Sequence, residues 1–131
     1  MTSEFQVAFA ACCAVSKADV PAVEAIKRLI ARLRSRCPTN FPVRFKWVDQ
    51  IDGDTWGDCE FINKRGKKPY FQVRMSVMVM EVYDWACTWD LVVHEYAHAL
   101  AWTPAHRNLN DHGPLWGVAY SACYMAAEKL L

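Results

Sequence analysis

Several common features are missing from this chain, and each absence narrows its class. No two of its six cysteines (Cys12, Cys13, Cys37, Cys59, Cys87, Cys123) have CxxC spacing, which argues against a zinc ribbon or a redox dithiol. No run of about 18 uninterrupted apolar residues occurs, so neither a membrane span nor a membrane partner is expected. Nothing at the start reads as a secretory signal: no basic stretch precedes the apolar run, and Glu4 and Gln6 interrupt it. Without an export signal, the expectation is a cytoplasmic protein with reduced thiols. Repeats, low-complexity segments and linker-like stretches are absent too. The net charge of +1 is too small to steer the whole molecule towards nucleic acid. It is lopsided, however: residues 1–75 carry 13 Lys+Arg against 8 Asp+Glu, and residues 76–131 carry 2 against 6.

What is present fits one compact domain over residues 1–131. An apolar fraction of 53% with 22% charged residues supports a packed core and excludes a disordered chain. Residues 4–15 are apolar and ambiguous between helix and strand. Ser16 and Asp19 stand three apart like a capping box, and Pro21 suits a first helical turn. Val23, Ile26, Leu29, Ile30 and Leu33 then form an apolar stripe, with Lys27, Arg28, Arg32, Arg34 and Arg36 on the wet face, and Pro38 and Pro42 beyond the end. Three strand-like stretches follow: Val43 to Val48, a weaker one from Trp56 to Ile62, and the clearest from Tyr70 to Val77. Two helices are predicted to close the chain, from about Thr88 to Trp102 and from Pro114 onwards. The fold class is α+β: N-terminal helix, short three-stranded sheet, helix, loop, helix.

The chemistry lies in LVVHEYAHALAW, residues 91–102. Its only strongly polar residues are His94, Glu95 and His98, on a helix apolar nearly all round and hence predicted to be buried. A buried carboxylate beside two imidazoles needs partners, or it costs several kcal/mol. One reading is a core whose protein neighbours satisfy them. The other is a metal. Positions i and i+4 stack on one helix face, so both rings can converge on one ion, while Glu95 reaches a water without ligating. That is the HExxH arrangement of zinc peptidases.

A catalytic zinc takes a third protein ligand. Six residues past His98, where a metzincin has its third histidine, stands Pro104. Asp111, Glu128 and His106 are candidates, with His106 expected to be exposed in a polar loop. His112 is the best candidate, because Gly113 permits an unusual backbone angle and Pro114 starts a helix, pinning the imidazole at its mouth.

HEYAH at 94–98, Trp102 after it and HGPLW at 112–116 resemble the SprT/Spartan family of zinc metallopeptidases and its HGxxW/F signature. The similarity covers roughly residues 20–131 and is strongest over 91–117. It implies a small zincin-like domain with Zn2+ held by His94, His98 and His112, and Glu95 as catalytic acid/base. It implies protein substrates, including DNA-associated ones, and an edge strand, here Tyr70–Val77, that pairs with extended substrate. Many members add a C-terminal zinc ribbon or regulatory tail. This sequence ends at Leu131, so no such ribbon is expected.

Around the metal, Asp90 stands one turn before His94, able either to orient its second nitrogen or to serve the helix N-terminus. Tyr120, Tyr124, Arg107 and His106 are eligible to stabilise an oxyanion. Trp102 and Trp116 are expected to pack the core near the site. The basic helix face and Lys64-Arg65-Gly66-Lys67-Lys68 are either solvated or contacts for DNA, single-stranded or protein-crosslinked, with Trp47 and Trp56 able to stack on bases. The competing function is a zinc-stabilised binding module for nucleic acid or protein; in such a site Glu95 would be superfluous.

Overall fold

A computed structural model describes residues 20–52, 55–77 and 85–128. The apolar segment 4–15 and the Ser16–Asp19 cap lie outside them. Helix α1, Val20–Arg36, buries Ile26, Leu29, Ile30 and Leu33, each at 5% exposure or less, as the 3.6-residue period requires. Arg34 and Arg36 occupy its last turn, where positive charge suits the helix dipole. The amide of Cys37 still donates to the Leu33 carbonyl at 2.8 Å, and Pro38 ends the helix.

The sheet has three strands: β1 Val43–Val48, β2 Gly57–Ile62 and β3 Tyr70–Ser76, in the order β1-β3-β2. β1 runs parallel to β3, with Val43 opposite Phe71 and Trp47 opposite Met75. β2 runs antiparallel to it, with Gly57 opposite Met75 and Ile62 opposite Tyr70. The resemblance placed Tyr70–Val77 at an edge, and the structure corrects this: β3 is the central strand, hydrogen-bonded on both sides. Its apolar row explains the position, since Phe71, Val73 and Met75 are all at 0% exposure and need neighbours on either flank. The edges are β1 and β2.

Helix α2, Trp85–Ala101, begins three residues before the predicted start, and α3 spans Pro114–Ala127. One core joins the α1 stripe, the buried row of the sheet and Trp89, Val92, Val93 and Tyr96 of α2. Tyr96 carries a hydroxyl into this core, where it donates to the Cys37 carbonyl at 2.7 Å and ties α2 to the end of α1. Trp102 is core as expected, packed against Phe41, Phe61 and Phe71 with ring centroids 5.0–5.6 Å away. The side-chain amide of Asn40 donates to its carbonyl at 3.0 Å, capping the end of α2. Among the described residues four cysteines are free thiols, and no helix is long and apolar enough to cross a membrane.

Candidate metal centre

Helix α2 delivers three of the four predicted site residues because its own sequence leaves no alternative face. Val92, Val93, Ala97 and Ala99 are at 0% exposure and clamp the helix on its core side. His94 and His98 then share the remaining face, with His98 and Glu95 each only 5% exposed. The fourth residue arrives from the loop between α2 and α3, which is braced by its own polar groups. Thr103 and His106 exchange backbone hydrogen bonds of 3.0 and 2.9 Å. The Arg107 Nε donates to the Pro104 carbonyl at 3.1 Å, and the Asn108 side chain accepts from the Asn110 amide at 2.9 Å. Asp111 accepts from the Gly113 amide at 2.9 Å, and α3 starts at once with Pro114 in its first turn. His112 is thereby held over the metal helix.

Gly113 does this with ordinary extended angles, φ −73° and ψ −166°. The unusual backbone angle expected there is not needed. A Cβ at that position would lie 3.0 Å from a carboxylate oxygen of Asp111, so that side chain would have to give way by a few tenths of an ångström.

The Nε2 atoms of the three histidines form a triangle. His94 and His98 stand 3.3 Å apart, His98 and His112 3.2 Å, His94 and His112 3.1 Å. Nitrogens at 2.0–2.1 Å from one tetrahedral ion would stand about 3.3 Å apart, so the donor set fits such an ion. The electrostatics agree with ligation. Burial, then the neighbouring His94 and His112, pushes His98 down to about 4, and burial followed by His112 lowers His94. Both shifts favour the neutral imidazole, the form that binds metal. The three histidines can hold one metal ion.

Glu95 sits beside the triangle, its Oε1 3.8 Å from the His94 Nε2. Burial, reinforced by Asp58, pushes its carboxyl up to about 8. Strand β2 passes directly over it: a Cβ on Gly57 would come within 3.4 Å of the Glu95 Cγ and 3.0 Å of the Arg74 carbonyl. Asp58 is itself forked to Arg74, whose Nε donates at 3.0 Å, and Glu60 lies 3.6 Å from the same guanidinium.

Trp116 forms a wall of the site. Its ring centroid lies 4.9 Å from that of His94, 5.5 Å from His98 and 4.8 Å from His112. Tyr120 stacks on the outer side of this indole at 5.0 Å, and its hydroxyl donates to Asp90. Asp90 is therefore committed to Tyr120, while its charge raises the affinity of His94 for a proton.

The remaining candidates fall elsewhere. His106, expected to be exposed, keeps only 17% of its side chain accessible and lies 3.6 Å from Asp111, while Glu128 forms the C-cap of α3. Neither they nor Asp111 join the triangle. Tyr124 packs edge-on against Trp89 at 5.0 Å, and Arg107 is used within its own loop. Trp47, considered for base stacking, is 3% exposed in the core. The neighbours of Glu95 contributed by β2, Gly57 and Asp58, escaped sequence reasoning, because nothing local in a weak strand signals contact with a helix more than thirty residues on.

Among curated proteins and among solved structures, no match to this chain is found. Among protein families, the model of the SprT-like family matches residues 25–130. That span begins inside α1, takes in the whole sheet, and includes the histidine triangle with Glu95 and Trp116. On this match the chain belongs to the SprT-like family.

Proposed function

We propose that the protein is a zinc-dependent metallopeptidase. The observation that carries this reading is the triangle of Nε2 atoms at 3.1–3.3 Å with a buried carboxyl group 3.8 Å from one corner. His94, His98 and His112 would hold the zinc, which supplies Lewis acidity and brings the pKa of a bound water to about 7. In its ionised form Glu95 would take the proton of the attacking water and then pass it to the leaving amine. Of the groups eligible to steady the carbonyl oxygen as charge develops, Tyr120 is favoured, because its ring lies 6.4 Å from that of His94; its hydroxyl would have to turn from Asp90 to do so. The substrate is an extended segment of a protein chain, including proteins bound to DNA, laid along the outer edge of β2. That edge starts at Gly57, beside Glu95, and backbone pairing there gives affinity with little sequence selectivity.

A binding module with a structural zinc would use the same three histidines. It would gain nothing from a carboxyl group 5% exposed beside them, since burying that group is costly. The test is metal content and casein hydrolysis for wild type, His112→Ala and Glu95→Gln. About one zinc per wild-type chain, weakened in His112→Ala, with Glu95→Gln loaded but inactive, supports the peptidase. A metal-loaded wild type without hydrolysis would favour the binding module.

A further inference from the structure

The β2–β3 hairpin has a second end, about 17 Å from Gly57 at the usual strand rise, and cations gather there. The amide of Lys67 donates to the Lys64 carbonyl at 3.1 Å across a tight turn. Gly66 takes φ +79°, the left-handed angle required at the third position of a type II turn. This turn sets Lys64, Lys67 and Lys68 beside one another. Arg44 joins them from β1, its guanidinium carbon 4.0 Å from the centre of the Tyr70 ring. Stacking fixes the plane of that group and leaves its N–H edges free to donate. The four cations, with Ile62 and Tyr70, line a pocket of about 330 Å³.

Among the described residues no carboxylate pairs with Arg44, Lys64, Lys67 or Lys68. Arg74, on the same sheet, has both Asp58 and Glu60. A single carboxylate or phosphate would leave half or more of the pocket's charge unmatched. We propose that this pocket binds a run of linked phosphates. A planar guanidinium fork and three mobile ammonium groups suit several phosphate oxygens at once. Trp47 is buried and Trp56 stands at the opposite end of β2, so no indole beside the pocket is available to read bases. Recognition is of the phosphates themselves and independent of sequence. Both a nucleic-acid backbone and a soluble oligophosphate carry this chemistry.

The test measures binding of a fluorescent single-stranded oligonucleotide across a salt series, with tripolyphosphate as competitor. The purified protein and its His112→Ala variant are compared, so that binding is read apart from proteolysis. Lys64→Gln/Lys67→Gln/Lys68→Gln is expected to weaken binding at least tenfold and to flatten the log–log salt slope by about 2, three lost contacts at about 0.7 each. Arg44→Gln, which leaves the turn untouched, should weaken it in the same direction. Lys27→Gln/Arg28→Gln on α1 should leave it unchanged. Competition by tripolyphosphate at equal phosphate concentration would identify a soluble oligophosphate as the ligand. Its failure would identify the nucleic-acid backbone. The proposal is overturned if neither compound binds, or if the triple variant, with an unaltered melting curve, binds as wild type does.

Discussion

The indole nitrogen of Trp116 donates to the main-chain oxygen of His94 at 3.3 Å, so the helix that follows the third histidine is bonded to the backbone of the first. The ring of that tryptophan also contacts all three imidazoles. It therefore fixes the separation of α2 and α3 at the height of the metal site. Trp116→Phe keeps an aromatic wall and removes the bond. Zinc affinity, read by competition with a chelating dye, should fall about tenfold, the lower end of what outer-sphere partners of metal ligands contribute. Unchanged affinity would mean that the loop alone positions His112.

Glu95 and His98 give the metal-free protein an unusual pH dependence. Glu95 holds its proton more tightly folded than unfolded, about 8 against an ordinary 4.5. Its contribution is intact below pH 4.5 and is lost as pH rises towards 8. His98 runs the other way: with its value pushed down from 6.5 to about 4, its contribution is present above 6.5 and is lost as pH falls. The wild-type apoprotein should thus lose stability between pH 6.5 and 8, by up to about 1.4 kcal/mol per unit. Glu95→Gln should not. Denaturant unfolding in the presence of a chelator measures this; parallel curves for the two proteins would show that the carboxyl is solvated.

Gly57 allows β2 to pass over the site. Gly57→Ala puts a methyl group 3.0 Å from the Arg74 carbonyl and 3.4 Å from Glu95, where backbone must move. A cost of about 1–3 kcal/mol in stability is expected from the overpacking. Peptide hydrolysis should fall by a larger factor than zinc affinity, because the strand and Glu95 shift while the histidines do not. Equal losses of both would place the strain on the helix instead.

Tyr96 lies next to Glu95 in sequence yet acts through the core. Tyr96→Phe leaves the buried Cys37 carbonyl without its 2.7 Å donor, which should cost about 1–3 kcal/mol. Zinc stoichiometry should be unaffected, since the hydroxyl points away from the triangle towards α1. Thermal or denaturant unfolding paired with metal analysis separates the two effects.

The parts of this protein that follow from short-range periodicity were legible in its sequence. The α1 stripe obeys a 3.6-residue repeat and lies buried as that repeat requires. His94 and His98 needed only the pitch of a helix to be brought together. Trp47 shares its strand face with Val43 and Phe45, so its burial followed from alternation, although its aromatic character suggested a surface role. What was not legible depends on long-range pairing. The order β1-β3-β2 puts the clearest strand in the middle and leaves the weakest beside the metal helix, and nothing in the local pattern of either strand encodes this. Gly113 shows a subtler limit: a glycine read as a backbone requirement takes ordinary extended angles, with the carboxylate of Asp111 close by.

An open strand edge has a cost outside catalysis, because any unpaired row of amides and carbonyls is a template for a second copy of itself. The outer edge of β2 is guarded by the residues that hold Arg74. Asp58 and Glu60, two acids against the one guanidinium of Arg74, leave the strand an excess of negative charge, and an identical strand approaching would carry the same sign. The acids that brace the sheet thus also discourage two molecules from zipping together along this strand.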